Sequence, residues 1–105
     1  MRSRWSAYSI GASDYIIATT DPQGPLFRAD TARWREEIAA FSANTRFEKL
    51  VIRELGPVRE GRGSVEFFAK LSRDGQDASF TERSSFVERD GRWLYHSGEA
   101  VDDGS

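Results

Sequence analysis

The sequence predicts an α+β domain in which helices come first and an antiparallel sheet of about four strands follows. In residues 64–99, three runs rich in Val, Phe, Trp, Tyr and Leu alternate with polar residues, and such alternation indicates strands with one buried face. Asp74-Gly75 and Asp90-Gly91 separate these runs, and this dipeptide favours tight hairpins. The N-terminal half shows helical spacing instead. Helices followed by strands are typical of folds in which the helices cover one face of a bent sheet.

Two short helices are predicted at the N-terminus. The first spans residues 2–10, with Trp5 and Tyr8 three residues apart on one side of it. Gly11 can end this helix in the left-handed conformation. Ser13 is a candidate N-cap for the second helix. The segment that follows is rich in Pro and Gly, which stops any helix there.

A longer helix and four strands complete the predicted domain. The helix runs from about Asp30 to Ala43, because Asp30 is a good N-cap residue and large apolar residues follow it in the sequence at helical spacing. The predicted strands are residues 47–55, 64–71, 79–88 and 92–97. Residues 1–99 are thus expected to form a single domain, and residues 100–105 a flexible tail.

Composition narrows the function classes. The chain has 105 residues, with Lys+Arg 15 against Asp+Glu 17, a net charge of −2 and no basic stripe, so we expect no nucleic-acid surface. The absence of cysteine excludes thiolate chemistry, and a single histidine makes a metal site unexpected. No run approaches the ~20 apolar residues that cross a membrane. Without an export signal we expect a cytoplasmic protein with no membrane partner.

Several motifs resemble the middle domain of the bacterial YchJ family. They occur in the family's order and at matching spacing, and the resemblance covers nearly the whole chain. Segments 44–52 and 65–69 also fall where that family places its first two long strands. The matching motifs are MRSRWSAY (1–8), DYII (14–17), TTDP (19–22), ERSSF (82–86), GRWLY (91–95) and Gly98.

The resemblance implies a nuclear-transport-factor-2-like cone, with helices packed into the concave face of a curved sheet and a pocket at the open end. Relatives on this scaffold include isomerases, dehydratases, transport adaptors and binding modules, so the fold does not set the function. The chain differs from the family pattern in two respects. It lacks the cysteine-rich SEC-C zinc-binding motifs that members commonly carry, and Asp21 stands where many relatives have a histidine. Neither zinc-dependent docking nor a histidine mechanism is therefore carried over.

Glu82 is the main candidate for chemistry. In a strand, Phe80, Glu82, Ser84 and Phe86 share one face, so a core-facing Phe80 and Phe86 would place Glu82 on the pocket side. A carboxylate among aromatic rings has its pKa raised by desolvation and could act as a general acid or base. The alternative, which we prefer, is a structural polar pair between Glu82 and a cation of the first helix, drawn from Arg2 and Arg4.

The expected pocket lining is aromatic. Tyr8 and Tyr15 could offer hydroxyls to a ligand, although packing in the core is the commoner role of buried tyrosines. His96 is expected to point away from the pocket, and Asp21 is a weaker catalytic candidate that the turn before Pro22 explains more simply. The residues predicted to line the pocket are Trp5, Tyr8, Tyr15, Phe80, Phe86, Trp93 and Tyr95.

Three functions remain open at this point. The first is an accessory module that binds a small apolar ligand or a protein, without catalysis and without a cofactor. The second is a cofactor-independent lyase or isomerase using Glu82 with tyrosine hydroxyls. The third is a domain that forms a homodimer or docks to another protein through the outer sheet face, where Phe68, Val87 and Leu94 lie among polar residues.

Overall fold

The computed structural model describes residues 1–101, and within them helices precede an antiparallel sheet. The helices are α1 (Arg2–Ile10), α2 (Ser13–Ala18) and α3 (Thr31–Asn44). The strands are β1 (Thr45–Leu55), β2 (Arg62–Arg73), β3 (Gln76–Asp77), β4 (Phe80–Arg89) and β5 (Arg92–Ala100). The predicted α+β class is confirmed.

A left-handed residue joins α1 to α2. Gly11 has φ 72° and its N–H donates to carbonyl oxygens in the last turn of α1, so it ends that helix as predicted. The prediction that Ser13 caps α2 is wrong, because the tight turn starts the helix one residue earlier and makes Ala12 the N-cap. The buried Ser13 hydroxyl instead donates to the Arg35 carbonyl at 3.4 Å, which joins α2 to α3.

The bounds of α3 agree with the prediction to within one residue. Asp30 Oδ1 accepts a hydrogen bond from the Arg33 N–H at 3.1 Å, which satisfies one of the free N–H groups of the first turn. Trp34 and Ile38 are buried on the same side of the helix. Thr45 is already extended, so α3 runs directly into β1.

The sheet has the strand order β1-β2-β4-β5, and each neighbouring pair is antiparallel. Asp74 and Gly75 have φ values of 51° and 77°, and Asp90 and Gly91 have values of 52° and 78°. Two successive positive φ angles are what a two-residue hairpin turn needs. The first hairpin leads into β3, which pairs with the end of β2 before the chain continues as β4. The described part of the sheet thus has the four expected long strands and one short addition.

The last strand is longer than predicted, and it takes in the start of the expected tail. Ala100 pairs with Glu82 in β4, and the Val101 N–H donates to the Thr81 carbonyl at 3.0 Å. Ala100 therefore belongs to the sheet. The rest of the expected tail, residues 102–105, lies outside the described residues.

Register shifts bend the sheet. They occur in β1 between Phe47 and Lys49 and again between Ile52 and Glu54. A third lies in the β4–β5 pair, where His96 is the extra residue. An unpaired residue in one strand bends that strand and increases its twist.

The buried residues form two clusters that hold the helices on the sheet. Trp5 of α1 and Phe41 of α3 both contact Phe47 of β1 edge to face, with ring centroids 5.3 and 5.9 Å apart. Burying a large apolar side chain contributes about 1.5–3 kcal/mol, so these rings stabilise the docking of both helices. The helical cluster is Ala7, Ile16, Trp34 and Ile38, and the sheet cluster is Phe67, Ala69 and Leu71.

The three apolar side chains named for the outer face of the sheet are largely shielded within the single chain. Val87 and Leu94 lie opposite each other in the register and are only 6% and 8% exposed. Phe68 is half-buried, with the Arg53 guanidinium 6.0 Å from the centre of its ring. The single chain thus already shields two of the three apolar side chains on which the predicted dimer depends.

Candidate functional site

A cavity of about 430 Å³ lies between the helices and the sheet, and we call it the first cavity. Leu26 and Phe80 line it and are 44% and 41% exposed, so they mark its open side. Its interior wall is aromatic and aliphatic, with Trp34, Ile38 and Phe41 from α3 and Phe67, Ala69 and Leu71 from β2. The charged side chains on this wall are Arg4, Glu37 and Glu82.

Two hydroxyl groups hold Glu82 in the first cavity. The Ser84 hydroxyl donates to Oε2 of Glu82 at 2.6 Å, and the Tyr95 hydroxyl donates to the same oxygen at 2.9 Å. Glu82 and Ser84 share a face of β4 because they are two residues apart. Burial, and then the neighbouring Glu82 carboxylate, raise the pKa of Tyr95 well above its ordinary value. Tyr95 therefore stays protonated, and remains a donor, at neutral pH.

Gly98 leaves the space in which this hydrogen bond forms. It lies opposite Ser84 in the register of β4 and β5. A Cβ atom at this position would collide with the Tyr95 hydroxyl and lie 2.6 Å from Cδ and Oε2 of Glu82. Gly98 is among the residues that resemble the family motifs, but the sequence does not indicate this role, because the role depends on side chains from two strands.

Arg4 is a buried cation at the junction of α1 and α2. Its side chain is 7% exposed. Its Nη1 donates to the Ile16 carbonyl at 3.2 Å and to the Thr19 and Thr20 hydroxyls at 2.7 and 3.4 Å. The C-terminal end of a helix favours a cation, so Arg4 fastens α1 to the end of α2. Burial lowers the pKa of Arg4 from its ordinary value.

The structure corrects the predicted polar pair. Arg2 is exposed, and within residues 1–101 Arg4 forms no ion pair with Glu82. The Arg4 guanidinium lies over the Tyr95 ring instead, 4.5 Å from its centre. Tyr95 also donates to Glu82, so the two charges contact Tyr95 and do not pair with each other.

Tyr8 belongs to the same group of side chains. Its ring lies 5.9 Å from the Arg4 guanidinium and packs edge to face against Phe41 at 5.8 Å. Burial raises the pKa of Tyr8, and the Arg4 charge opposes that shift. Tyr8 thus presents a protonated hydroxyl beside the first cavity.

A second cavity of about 320 Å³ adjoins the first, and Arg4 and Tyr95 line both. Gly63 and Val58 also border the second cavity. Of the residues predicted to line a pocket, Trp5, Tyr8 and Phe80 line the first cavity, Tyr15, Phe86 and Trp93 the second, and Tyr95 both.

Asp21 has a structural role and lines neither cavity. It is fully buried, and Nε and Nη2 of Arg89 donate to its two carboxylate oxygens at 2.9 and 3.0 Å. Oδ1 also accepts the Gln23 N–H at 3.0 Å. These hydrogen bonds, of which those from Arg89 weigh most, hold the pKa of Asp21 below its ordinary value. Asp21 is therefore unsuited to act as a base, which corrects its place among the catalytic candidates.

The Asp21–Arg89 pair was missed because its partners are far apart in the chain. Asp21 follows α2, and Arg89 is the last residue of β4. The backbone brings them together, since the Asp21 N–H donates to the Tyr95 carbonyl at 2.8 Å and the Tyr95 N–H donates to the Thr19 carbonyl at 2.7 Å. The segment after α2 thus runs along β5, a pairing for which the sequence gives no signal.

The chemical repertoire of these cavities is limited to a carboxylate, a guanidinium and hydroxyl groups. In the described chain, no three His, Cys, Asp or Glu residues are grouped so that they could hold a metal ion. No helix in residues 1–101 has the length and apolar character needed to span a membrane. The first cavity can present Glu82, Tyr95 and Tyr8 to an apolar molecule, and the second can present Arg4.

Solved structures similar to this chain share its fold. A SEC-C motif-containing protein from Rhodopseudomonas palustris superposes with a TM-score of 0.81 at 38% identity, over 97% of this chain and 76% of that one. A second SEC-C motif-containing protein, from Psychrobacter arcticus, gives 0.71 at 21% identity, over 100% of this chain and 60% of that one. An NTF2-like protein of unknown function from Shewanella oneidensis gives 0.65 at 17% identity, over 96% of this chain and 92% of that one. The last two show the fold alone.

Sequence relatives give the family. A UPF0225 protein from Vibrio vulnificus is 37% identical over 98 residues, which cover 93% of this chain and 56% of the relative. One from Sodalis glossinidius is 36% identical over 96% of this chain and 64% of the relative. The chain thus spans less than two thirds of the length of either relative. A family description of the YchJ middle NTF2-like domain matches residues 1–98. The chain therefore belongs to the YchJ family and forms its middle, NTF2-like domain.

Proposed function

We propose that this domain is a non-catalytic binding module whose first cavity takes a small apolar ligand. The observation that carries the proposal is the cavity of about 430 Å³ between helices and sheet, with an aromatic and aliphatic wall. Small-molecule sites are commonly concave, mostly apolar and of this size, with a few polar groups that orient the ligand. Glu82, Tyr95 and Tyr8 supply such polar groups.

The open side of the cavity supports the same function. Leu26 and Phe80 keep a large exposed fraction although both line the cavity. Exposed apolar side chains beside a cavity are typical of binding sites. A ligand seated there would cover both residues, and the burial of apolar area would stabilise the complex by about 25 cal/mol per Å² before the costs of association.

The first experiment is native mass spectrometry of the purified protein, followed by titration with the neutral fluorescent probe N-phenyl-1-naphthylamine. We expect saturable binding in the micromolar range, or a retained molecule that leaves on denaturation. In the variant Ala69→Leu, the added carbons enter the cavity from β2 and should weaken binding of the probe. Ala39→Leu makes the same change on the exposed side of α3 and should bind as the wild type does. Equal binding by both variants, or none by the wild type, would contradict the proposal.

One observation favours a lyase or isomerase as a second candidate. Ser84 and Tyr95 both donate to Oε2 of Glu82, which leaves Oε1 as the carboxylate oxygen available to a substrate proton. A base that removes a C–H proton would exchange it with solvent. The test is deuterium incorporation into a retained ligand in D₂O, which Glu82→Gln should abolish while ligand binding persists. Ligand that gains no deuterium in the wild type leaves the binding module as the function.

A further inference from the structure

We propose that the second cavity is a separate binding site for an amphipathic monocarboxylate, whose carboxylate pairs with Arg4 while its apolar body lies against Leu55, Val58 and Trp93. This site goes beyond the binding of a neutral apolar molecule in the first cavity. Three features support this site: the charges that line each cavity, the neutral hydrogen bonds of Arg4, and the exposed apolar side chains around the second cavity.

The charges of the two cavities differ. Among the described residues that line the second cavity, Arg4 is the only one with a charged side chain, and none is acidic. Glu37 and Glu82 line the first cavity, and Glu37 is ion-paired with Arg28. An anion paired with Arg4 from the first cavity would lie beside Glu37 and Glu82, whereas from the second cavity it would meet no acidic side chain. Charge complementarity therefore assigns the anionic group to the second cavity.

Arg4 can accept such a partner. Its hydrogen bonds to the Ile16 carbonyl and the Thr19 and Thr20 hydroxyls all go to neutral oxygens and all come from Nη1. No carboxylate within residues 1–101 forms an ion pair with it. A buried charge is costly unless it is paired, and a guanidinium pairs best with a carboxylate through two parallel hydrogen bonds. A bound carboxylate would supply the counter-charge that the fold leaves out.

The rest of the second cavity suits an apolar chain. Leu55 and Val58 are 73% and 67% exposed, and Trp93 and Tyr15 are 42% and 40% exposed, although all four border one cavity. A group of exposed apolar side chains around a concavity marks a site that a ligand covers. The volume of about 320 Å³ fits a medium-chain carboxylate, and the Ser3 hydroxyl, which accepts from Tyr15, can donate its own proton to one of the carboxylate oxygens.

A substitution at Gly63 can fill the second cavity without changing a residue that lines the first. A Cβ atom at residue 63 would make ordinary contacts of 3.6 Å with Val58 and 3.8 Å with Trp93, and these two side chains border the cavity. Gly63→Val is therefore expected to fold and to fill the second cavity from β2. Ser85→Val is its control, because Ser85 is exposed on the neighbouring strand and lines neither cavity.

The test compares octanoate, octanamide and octylamine by isothermal titration calorimetry. For the wild type we expect octanoate to bind at least about tenfold more tightly than octanamide, a difference of about 1.4 kcal/mol, and octylamine not to bind. Gly63→Val should lose octanoate binding, and Ser85→Val should keep it. Arg4→Gln should lower octanoate to the level of octanamide, and Arg4→Lys should restore part of the preference.

Two results would overturn the proposal. One is equal binding of octanoate and octanamide by the wild type. The other is octanoate binding that survives Gly63→Val but fails in Ala69→Leu, which would place the ligand in the first cavity. Retained binding of N-phenyl-1-naphthylamine by Gly63→Val would show that the variant is folded, so a failure of this proposal is distinguishable from a failure of the proposed function.

Discussion

Replacing Gly98 by alanine should destabilise the domain far more than a glycine-to-alanine change in a strand normally does. Alanine at an ordinary strand position removes backbone entropy from the unfolded chain and is commonly neutral or stabilising. Here the new Cβ would collide with the Tyr95 hydroxyl and lie 2.6 Å from Cδ and Oε2 of Glu82. The hydrogen bond from Tyr95 to Glu82 must therefore break, or β5 must move.

The magnitude follows from these two consequences. A hydrogen bond to a charged group is worth about 1.5–3 kcal/mol, and overpacking costs about 1–3 kcal/mol. We therefore expect Gly98→Ala to lower the free energy of unfolding by about 3–5 kcal/mol. For a domain of this size, each kcal/mol changes Tm by about 5 °C, so Tm should fall by roughly 15–25 °C in a thermal melt followed by circular dichroism.

A double-mutant cycle identifies the cause. Tyr95→Phe removes the hydroxyl with which the new Cβ would collide, so Gly98→Ala should cost less in the Tyr95→Phe background than in the wild type. We expect a coupling energy of about 1–3 kcal/mol between the two sites. A wild-type Tm for Gly98→Ala would refute the reasoning, and strict additivity of the two changes would show that the hydroxyl is not the obstacle.

Three further predictions concern groups outside this contact. Asp21→Asn should lower the free energy of unfolding by about 2 kcal/mol near neutral pH, because it removes the charge of a buried partner of Arg89. The folded-state pKa of Asp21 lies below its ordinary value of 3.8, so its contribution is complete above about pH 4 and is lost as pH falls through the folded-state pKa. Urea melts at several pH values should show the variant and the wild type converging in acid, and a constant difference would contradict the assignment. Asp30→Ala removes the N-cap of α3 and should lower the free energy of unfolding by about 1 kcal/mol in the same urea melts. A decrease of only about 0.2 kcal/mol or less would argue against that cap. In a spectrophotometric titration of the folded protein, Tyr8 and Tyr95 should ionise at higher pH than a free tyrosine, because burial raises the pKa of each. The stability they confer is complete below the unfolded-state value and is lost as pH rises through the folded-state values. Ionisation of Tyr8 and Tyr95 at the ordinary tyrosine value before unfolding would contradict that burial.

The elements that the sequence predicted well are those determined by local patterns. Strand alternation and the Asp-Gly pairs place both hairpins, because positive φ angles at Asp90 and Gly91 are a local property of the turn. Asp30 caps α3 as predicted for the same reason. The cap of α2 was mispredicted because the left-handed turn at Gly11 already fixes the entry of the chain. The extension of β5 to Ala100 was missed because its pairing with β4 is a tertiary contact.

The candidate site was predictable in its side-chain types and faces, but not in its pairings. Alternation along β4 was enough to put Phe80 and Glu82 on one face, and both line the first cavity. The assumed pair of Arg4 with Glu82 failed because charge alone suggested it. The end of α2 competes for the guanidinium, and both charged groups contact Tyr95 instead of each other. No periodicity in the sequence indicates that the end of α2 and Glu82 compete for Arg4.

Two buried ionisable groups of this domain, Asp21 and Arg4, differ in whether the fold supplies an opposite charge. Asp21 has hydrogen bonds from Arg89 on both oxygens and a further one from the backbone, so it has little capacity left for a ligand. Arg4 is nearly as buried but has only neutral acceptors, and it borders both cavities. A buried cation without a carboxylate is expensive to keep, and stability alone would be served by an apolar residue of similar size. The cost is explained if the missing counter-charge arrives with a ligand. Arg4, rather than Glu82 or Asp21, is therefore the side chain whose substitution tests most directly for an anionic ligand.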